Sequence, residues 1–375
     1  MINRRNLTLA AGAALVGRFN IAQAQSENKI VLGQSAPFTG AAAQLGIQFH
    51  QGAKLYFDRL NAQGGVNRRL IEIRNVDDGY EPDRCAENTR KLIAEDVFSL
   101  FGYIGTATSV AALPLAIKDN VPFIAPFTGA MALRQPLHKN VFHLRASYND
   151  ETALIVKNLT SLGLKKIAVF YQNDAYGKAG LDGVTLALAA QNLKPVGLAT
   201  VERNSVDVAA AVKTLVPTMP DAIVQISAYK SCAAFIRASR KAGYGGTFYN
   251  VSFVGTQALA DELGKEGAGI VVSQVMPSPY SGARAVVREF VDAAKTGKDV
   301  QANFSSMEGF VAAKVFAEGL KRAGNKPTRE SLISGLEAIG TQSFGGFDVS
   351  FSPTDHVASH FVELSMLTGD GRVRT

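Results

Sequence analysis

From Lys29 onward the chain alternates short apolar, β-branched runs with longer amphipathic segments. "KIVLGQSA" (Lys29–Ala36) predicts a strand. In the following "HQGAKLYFDRLNAQGG", Phe49, Ala53, Tyr56, Phe57 and Leu60 recur at helical spacing, and Gly64–Gly65 stop the helix. The rhythm continues with a strand at "LIEIRNVDD", a helix at "PDRCAENTRKLIAED", a strand at "VFSLFGYI", a helix at "SVAALPLAIKDN" and a strand at "VPFIAP". Pro82 suits the first turn of its helix. A second run of the same kind begins at "KKIAVFYQ" (Lys165–Gln172) and extends through "DAIVQISA", "TFYNVSF" and "GIVVSQVM". Three helical segments follow, at 283–296, 305–323 and 328–339, and then the strand-like runs "GFDVSFS" and "HFVELSML".

Strict β–α alternation calls for parallel sheets covered by helices on both faces. Two runs of it predict an α/β protein of two doubly wound, Rossmann-like lobes. Polar or proline-bearing breaks fall at "HLRASYNDET" and "QVMPSPYSG". The helices after 282 lack the strands for a third lobe, so they are expected to return to the first, and the last strands to the second. This reading gives lobe 1 residues 28–145 and 276–343, lobe 2 residues 146–275 and 344–375, and three crossings between them, near 145, 275 and 344.

The hexapeptide "APFTGA" occurs twice, at Ala36–Ala41 and Ala125–Ala130. The similarity does not extend beyond the six residues, which argues against a duplicated unit. Both copies follow a strand and precede a helix, so both are loops at the carboxyl edge of a parallel sheet, where ligands bind. The loop "GTATS" (Gly105–Ser109) joins them. Thr39, Thr106, Thr108, Ser109 and Thr128 thus border one hydroxyl-lined edge suited to an anion such as a carboxylate. Helix capping alone accounts equally for any one of these hydroxyls.

Composition narrows the setting. Apolar residues make up 47% of 375 and charged residues 19%, a globular balance. After the N-terminus no apolar run reaches the ~18–20 residues of a membrane span. Residues 1–24 read as a cleavable export signal: Arg4 and Arg5, the mildly apolar "LTLAAGAALVG", then "AQA". The paired arginines fit a twin-arginine route or ordinary secretion. No cysteine near the cleavage point offers a lipid anchor, so the product is expected free in the periplasm. Removing the segment takes away three arginines and no acid, lowering the formal charge from +7 to +4. With no basic cluster interleaved with aromatics, nucleic-acid binding has no support. Cys85 and Cys232 fall on helices of different lobes and are expected to remain separate thiols.

Enzymatic signatures are missing: the first strand is not followed by G-x-G-x-x-G, and there is no Walker A sequence and no G-x-S-x-G elbow. The pair His356 and His360 in "HVASH" lies in a turn leading to a strand. Four extended residues span roughly 13 Å, too far to share one zinc. No metal, cofactor or catalytic residue is therefore expected.

"IVLGQSAPFTGAAAQLG", "FDRLNAQGGVN", "DDGYEPDR", "FGYIGTATSVAALPLA" and "VPFIAPFTGA" resemble the branched-chain amino-acid class of ABC-transporter substrate-binding proteins, which have the type I periplasmic binding protein fold. The resemblance implies two lobes closing by hinge motion on a small ligand, a monomer, and an inner-membrane ABC permease as partner. It puts Thr106 against a ligand carboxylate, with Phe127, Thr128 and Gly129 contributing backbone and hydroxyl contacts. Gln44 or Leu45 stands beside the ligand from the first loop, and Tyr176 and Tyr229 face it from the second lobe. Amino-acid binders of this class place an acidic residue after the strand matching "TFYNVSF", to pair the ligand ammonium. This chain has Ser252 or Phe253 there, with Asp174 as a candidate substitute. A buried ammonium without a partner is costly, so the expected ligand shifts toward an aromatic or aliphatic acid, with an amino acid as the alternative. A sensory receptor signalling to a protein partner, and an exported enzyme on a Rossmann-like fold, are the rival readings.

Overall fold

The alternation resolves into two main sheets in the computed structural model, which describes residues 29–297 and 300–375; the expected export signal at 1–24 lies outside the described residues. The first sheet is built from β1 (Lys29–Ala36), β2 (Leu70–Asp77), β3 (Ser99–Phe101), β4 (Phe123–Ile124) and β5 (Val141–Phe142). The helices α1 (Ala43–Ala62), α2 (Pro82–Ala94) and α3 (Thr106–Lys118) connect the first four strands. All its pairings are parallel, in the order β2-β1-β3-β4-β5. Strand order reverses beside β1, which opens the loops after β1 and β3 to a ligand at the sheet's carboxyl edge.

α4 (Tyr148–Ser161) starts the second run, nucleated by a capping box in which Ser147 Oγ accepts from the Asp150 amide and the Asp150 carboxylate accepts from the Ser147 amide. It is followed by β6 (Ile167–Gln172), α5 (Ala175–Ala189), β7 (Gly197–Val201), α6 (Ala209–Leu215), β8 (Ala222–Ile226), α7 (Tyr229–Lys241), β9 (Thr247–Asn250), α8 (Thr256–Leu263) and β10 (Val271–Gln274). β6 to β10 pair in parallel, and the central β8 is fully buried, as a strand covered on both faces must be.

After β10 the chain returns to the first sheet with α9 (Ala285–Thr296), α10 (Phe304–Arg322) and α11 (Arg329–Glu337). Two glycines make the close packing of α10 on α1 possible. A Cβ at Gly52 would stand 1.8 Å from the Ser306 carbonyl oxygen, and one at Gly309 2.0 Å from that of Phe49. The two backbones are therefore in contact, and Phe57, Phe101 and Phe316 interlock beside them.

The end of the chain differs from the sequence expectation. β11 (Thr341–Ser343) and β12 (Asp348–Ser350) form their own antiparallel hairpin, so "GFDVSFS" does not join the second sheet. Instead Phe351 and His356 pack on Phe142 of β5, with ring centroids 5.2 and 3.9 Å away, and Val357 bridges His143. Only β13 (Glu363–Leu367), antiparallel to β10, and β14 (Val373–Arg374) extend the second sheet. The alternating Phe347, Val349 and Phe351 demand a buried apolar face but do not encode which one, so pattern alone put the last passage between sheets near 344.

Candidate functional site

The loops after β3 and β4 meet at the carboxyl edge of the first sheet. Thr106, first residue of α3, and Thr128 are both buried, with their hydroxyl oxygens 2.6 Å apart. The Thr128 hydroxyl also lies 3.4 Å from the Tyr148 hydroxyl and accepts from the Ala130 amide at 3.2 Å. Tyr148 opens α4, so the passage between sheets delivers a phenol to the hydroxyl pair. Gly129 makes room for it: a Cβ there would lie 2.6 Å from both the ring and the amide nitrogen of Tyr148. Burial pushes the Tyr148 phenol up to about 12, so it acts as a neutral hydrogen-bonding group.

Aromatic rings from both sheets converge on the same place. Phe253, after β9, lies 5.7 Å from Phe127, 4.5 Å from Tyr176 and 6.0 Å from Tyr80 between ring centroids. Tyr148 and Tyr176 are 5.4 Å apart. The Tyr176 hydroxyl is buried without a hydrogen-bond partner. Gln172, at the end of β6, donates to the Tyr80 hydroxyl at 3.3 Å, a polar bond from one lobe to the other.

A buried charge network forms the third wall. Arg145 directs Nε and Nη2 at the two Glu308 oxygens, 2.8 and 2.7 Å away, in a bidentate pair between the first passage and α10. Its Nη1 donates to Ser252 Oγ at 3.2 Å, and its guanidinium lies 3.8 Å from the Phe127 ring centroid. Burial alone would lower the Arg145 affinity for its proton; the Glu308 carboxylate reverses this and holds it above its ordinary value. Behind Ser252, the fully buried Glu151 of α4 accepts from the Ser252 amide (2.7 Å), Ser252 Oγ (3.0 Å) and Ser273 Oγ (2.5 Å). Burial pushes its carboxyl up, and Arg145 with these donors pulls it part of the way back. The gap left beside Arg145, Phe127, Ser252 and Glu308 is about 10 Å³, so the lobes stand closed on each other.

Four further candidates bridge the lobes or support the cluster. Leu45 is buried, and its Cδ2 lies where a Cβ on Gly255 of the second lobe would sit, 2.4 Å away. The Gln44 amide bonds the Tyr229 hydroxyl, an interaction that opposes the upward push of burial on that phenol; the Gln44 side chain itself is exposed. Ser109 is buried at the start of α3, its hydroxyl without a partner.

Three candidates are committed elsewhere. Thr39 is exposed and bonds the Asp77 carboxylate through both amide and hydroxyl, at 3.1 and 2.7 Å, so it steadies a turn and is not part of the buried hydroxyl pair. Thr108 donates back to the Ile104 and Gly105 carbonyls of its own first turn. Asp174 caps α5, accepting from the Tyr176 and Gly177 amides and from Gln172, which leaves it a poor substitute for an ammonium partner. His356 and His360 go to different carboxylates, Glu337 and Asp150. Among the described residues no group of three or more His, Cys, Asp or Glu could hold a metal. Cys85 and Cys232 are buried free thiols.

Arg145, Glu151, Glu308, Tyr80 and Tyr148 were missed as site residues. Arg145, Tyr148 and Glu151 lie in the polar run "HLRASYNDET", whose charges imitate an exposed linker, and Tyr80 lies inside "DDGYEPDR". Glu308 gives one signal, a lone acid in the otherwise uncharged helical stretch "NFSSMEGFVAA".

Comparison with known proteins identifies the fold and family. A family model described as "Periplasmic binding protein" matches residues 29–372. A possible leucine/isoleucine/valine-binding protein from Rhodopirellula baltica superposes with a TM-score of 0.88 at 31% identity, covering 93% of this chain and 96% of that one. A substrate-binding periplasmic protein from Ralstonia solanacearum gives 0.86 at 33% identity, covering 92% and 99%. Leu/Ile/Val-binding protein homolog 3 of Brucella melitensis is 23% identical over 365 residues, 92% of this chain and 93% of that protein.

Proposed function

The chain belongs to the periplasmic binding protein family, of the Leu/Ile/Val-binding type, and from that premise we propose that it captures a small carboxylate with an apolar body and hands it to an inner-membrane ABC permease. The observation that carries the reading is the coincidence of an aromatic wall with carboxylates that already have partners. Phe127, Tyr176 and Phe253 gather around the hydroxyls of Thr106 and Thr128. Glu308 is matched by Arg145, and Glu151 by three donors, so an incoming ammonium would have to break a satisfied network to gain a counter-ion. A carboxylate needs donors instead. When the lobes part, the Thr106 hydroxyl, the unpartnered Tyr176 hydroxyl and the Nη1 of Arg145 can supply them. The aromatic rings then exclude water from its body. Delivery from the periplasm follows the family's location and the signal-like sequence of residues 1–24.

A thermal-shift screen of the mature chain against benzoate, phenylacetate, hexanoate and the aliphatic α-amino acids tests the ligand class. A ligand binding the folded state stabilises it by RT ln(1 + [L]/Kd), so a true ligand stands out. The expected result is a monocarboxylate with a Kd in the micromolar range or tighter, about −8 kcal/mol. Thr106→Ala should weaken it by ~1–3 kcal/mol. Stabilisation by α-amino acids alone would sink the carboxylate assignment, and an unchanged affinity in Thr106→Ala would remove that hydroxyl from the site.

A further inference from the structure

We propose that Glu81 and Asn204 form a latch between the lobes at the rim of the cleft, and act as positioning residues that set how firmly the chain closes on its ligand. The inference rests on the reading that the ligand is held between the lobes, and not on the ligand's class.

The latch begins in a strained turn of the first lobe. Gly79 and Tyr80 take successive left-handed conformations, with φ of +58° and +66°. For a tyrosine this is an outlier that persists only where the surroundings over-determine it. Here they do. The Asp77 carboxylate accepts from the Gly79 amide at 3.1 Å, and the Asp78 carboxylate from the Tyr80 amide at 2.8 Å. The Asp78 carbonyl accepts from the Glu81 amide at 3.0 Å. Asp78 is itself fixed, being fully buried and accepting from Ser35 Oγ of β1 at 2.8 Å. Each of the three turn residues then meets the second lobe. The Tyr80 hydroxyl accepts from Gln172. The Gly79 carbonyl and the Glu81 carboxylate both accept from the side-chain amide of Asn204, at 3.1 and 2.8 Å.

The second half is equally prepared. Asn204 follows β7 with φ +59°, a conformation that asparagine adopts more readily than most residues. Its neighbour is tied down, because Ser231 Oγ of α7 donates to the Ser205 carbonyl at 2.7 Å. A carbonyl and a carboxylate only accept, so the amide nitrogen of Asn204 must face them. Arg203 Nε stands 3.7 Å from the other Glu81 oxygen, beyond hydrogen-bond distance, and the Glu81 side chain is 45% exposed. That ion pair therefore adds little, and the Asn204 bonds carry the contact. Tyr80 turns its buried ring toward Phe253, whereas Glu81 stays at the surface, so the latch lies outside the aromatic cluster. Parting the lobes exchanges both Asn204 bonds for water. Their net effect is thus modest, about tenfold in the ratio of closed to open forms.

Small-angle X-ray scattering of the mature chain without added ligand tests the latch. Asn204→Ala removes both bonds and should lower the closed-to-open ratio about tenfold, read as a larger radius of gyration. Asn204→Asp sets a carboxylate against Glu81 and should open the chain further. Adding Glu81→Gln, whose amide can donate to that carboxylate, should close it again in part. Glu72→Ala removes a carboxylate paired with Lys29 inside the first lobe and should change nothing. A radius of gyration that Asn204→Asp leaves at the wild-type value, or that Glu72→Ala raises equally, overturns the proposal. Should Asn204→Asp fail to fold, Asn204→Ala decides by the same criterion. Benzoate should also dissociate about tenfold faster from Asn204→Ala than from the wild type. A wild type that does not bind benzoate counts against the ligand class, and the scattering result still decides the latch.

Discussion

The two copies of "APFTGA" begin alike, after β1 and β4 of the same sheet, and end in opposite environments. In the first, Thr39 and Gly40 are exposed, Gly40 adopts φ +83°, and the Phe38 ring meets His50 edge-on at 5.6 Å. In the second, every residue is buried, the positive φ falls on Ala125 (+51°), and Phe127 lies under the guanidinium of Arg145. Six identical residues thus specify a loop but neither its dihedrals nor its burial. What separates them is the neighbour each must accommodate: the Asp77 carboxylate for the first copy, Tyr148 and Arg145 for the second.

The largest way to break the comparison acts on the charges around the second phenylalanine. Arg145→Met keeps a long apolar contact on Phe127 but leaves Glu308 buried without its counter-charge. It should cost about 3–5 kcal/mol in urea unfolding. Arg145→Met combined with Glu308→Leu should recover most of that, because removing both charges also removes the stranded one. The matching change beside the first phenylalanine is His50→Leu. Burial, with Lys54 nearby, already lowers the His50 pKa to about 4, so it is neutral, and only its bond to Gln34 and its edge-on contact with Phe38 are lost, about 1–2 kcal/mol. Equal costs at the two positions would show that the Arg145 pair does not set the second loop apart.

A smaller contrast lies in the glycines. Gly129→Ala places a methyl 2.6 Å from the Tyr148 amide nitrogen, which cannot move without shifting α4. The expected loss is about 1–3 kcal/mol, together with weaker binding of any carboxylate that uses Thr128. Gly40→Ala meets nothing within 4 Å, and its loss of about 1 kcal/mol comes only from the positive φ. Binding should therefore change in the first variant and not in the second, as read by calorimetry at equal protein concentration.

Periodicity made most of this fold legible. β1, β2 and β6, along with nearly all of the helices, follow from apolar spacing, because a strand covered on both faces and a helix covered on one leave different spacings in the sequence. Partner choice was not legible at the end of the chain, where Phe351 packs on Phe142 although its alternation suits any sheet edge. In the candidate site, resemblance named Thr106, Phe127, Thr128 and Tyr176, and the structure places them in one buried cluster. The charged half was not. Arg145 and Glu308 are 163 positions apart, and each looks like a surface residue until the fold buries the pair. Sequence composition records a charge but not its desolvation, and desolvation is what makes this pair matter.

The smallest effect is the most selective. Burial raises the Asp77 carboxyl, but hydrogen bonds from the Phe38 amide, Thr39 hydroxyl, Gly79 amide and Thr39 amide outweigh it and bring the pKa from 3.8 down to about 2. A folded-state pKa below the unfolded one gives stability that is complete above the unfolded value. It is lost as pH falls through the folded one. Thr39→Val removes one of those donors, so its cost should be present at pH 6, shrink below about pH 3, and vanish only below pH 2. Because the Asp77 side chain is only partly buried, at 27% exposure, the cost at pH 6 should stay below about 1 kcal/mol and fall further in high salt. Thr128→Val in the second copy loses bonds to Thr106 and Tyr148, neither of which titrates in that window. Its cost, about 1–3 kcal/mol, should be flat from pH 6 to below pH 2 in parallel urea titrations. A Thr39→Val cost that is equally flat would mean that the first copy is not held by the Asp77 carboxylate at all.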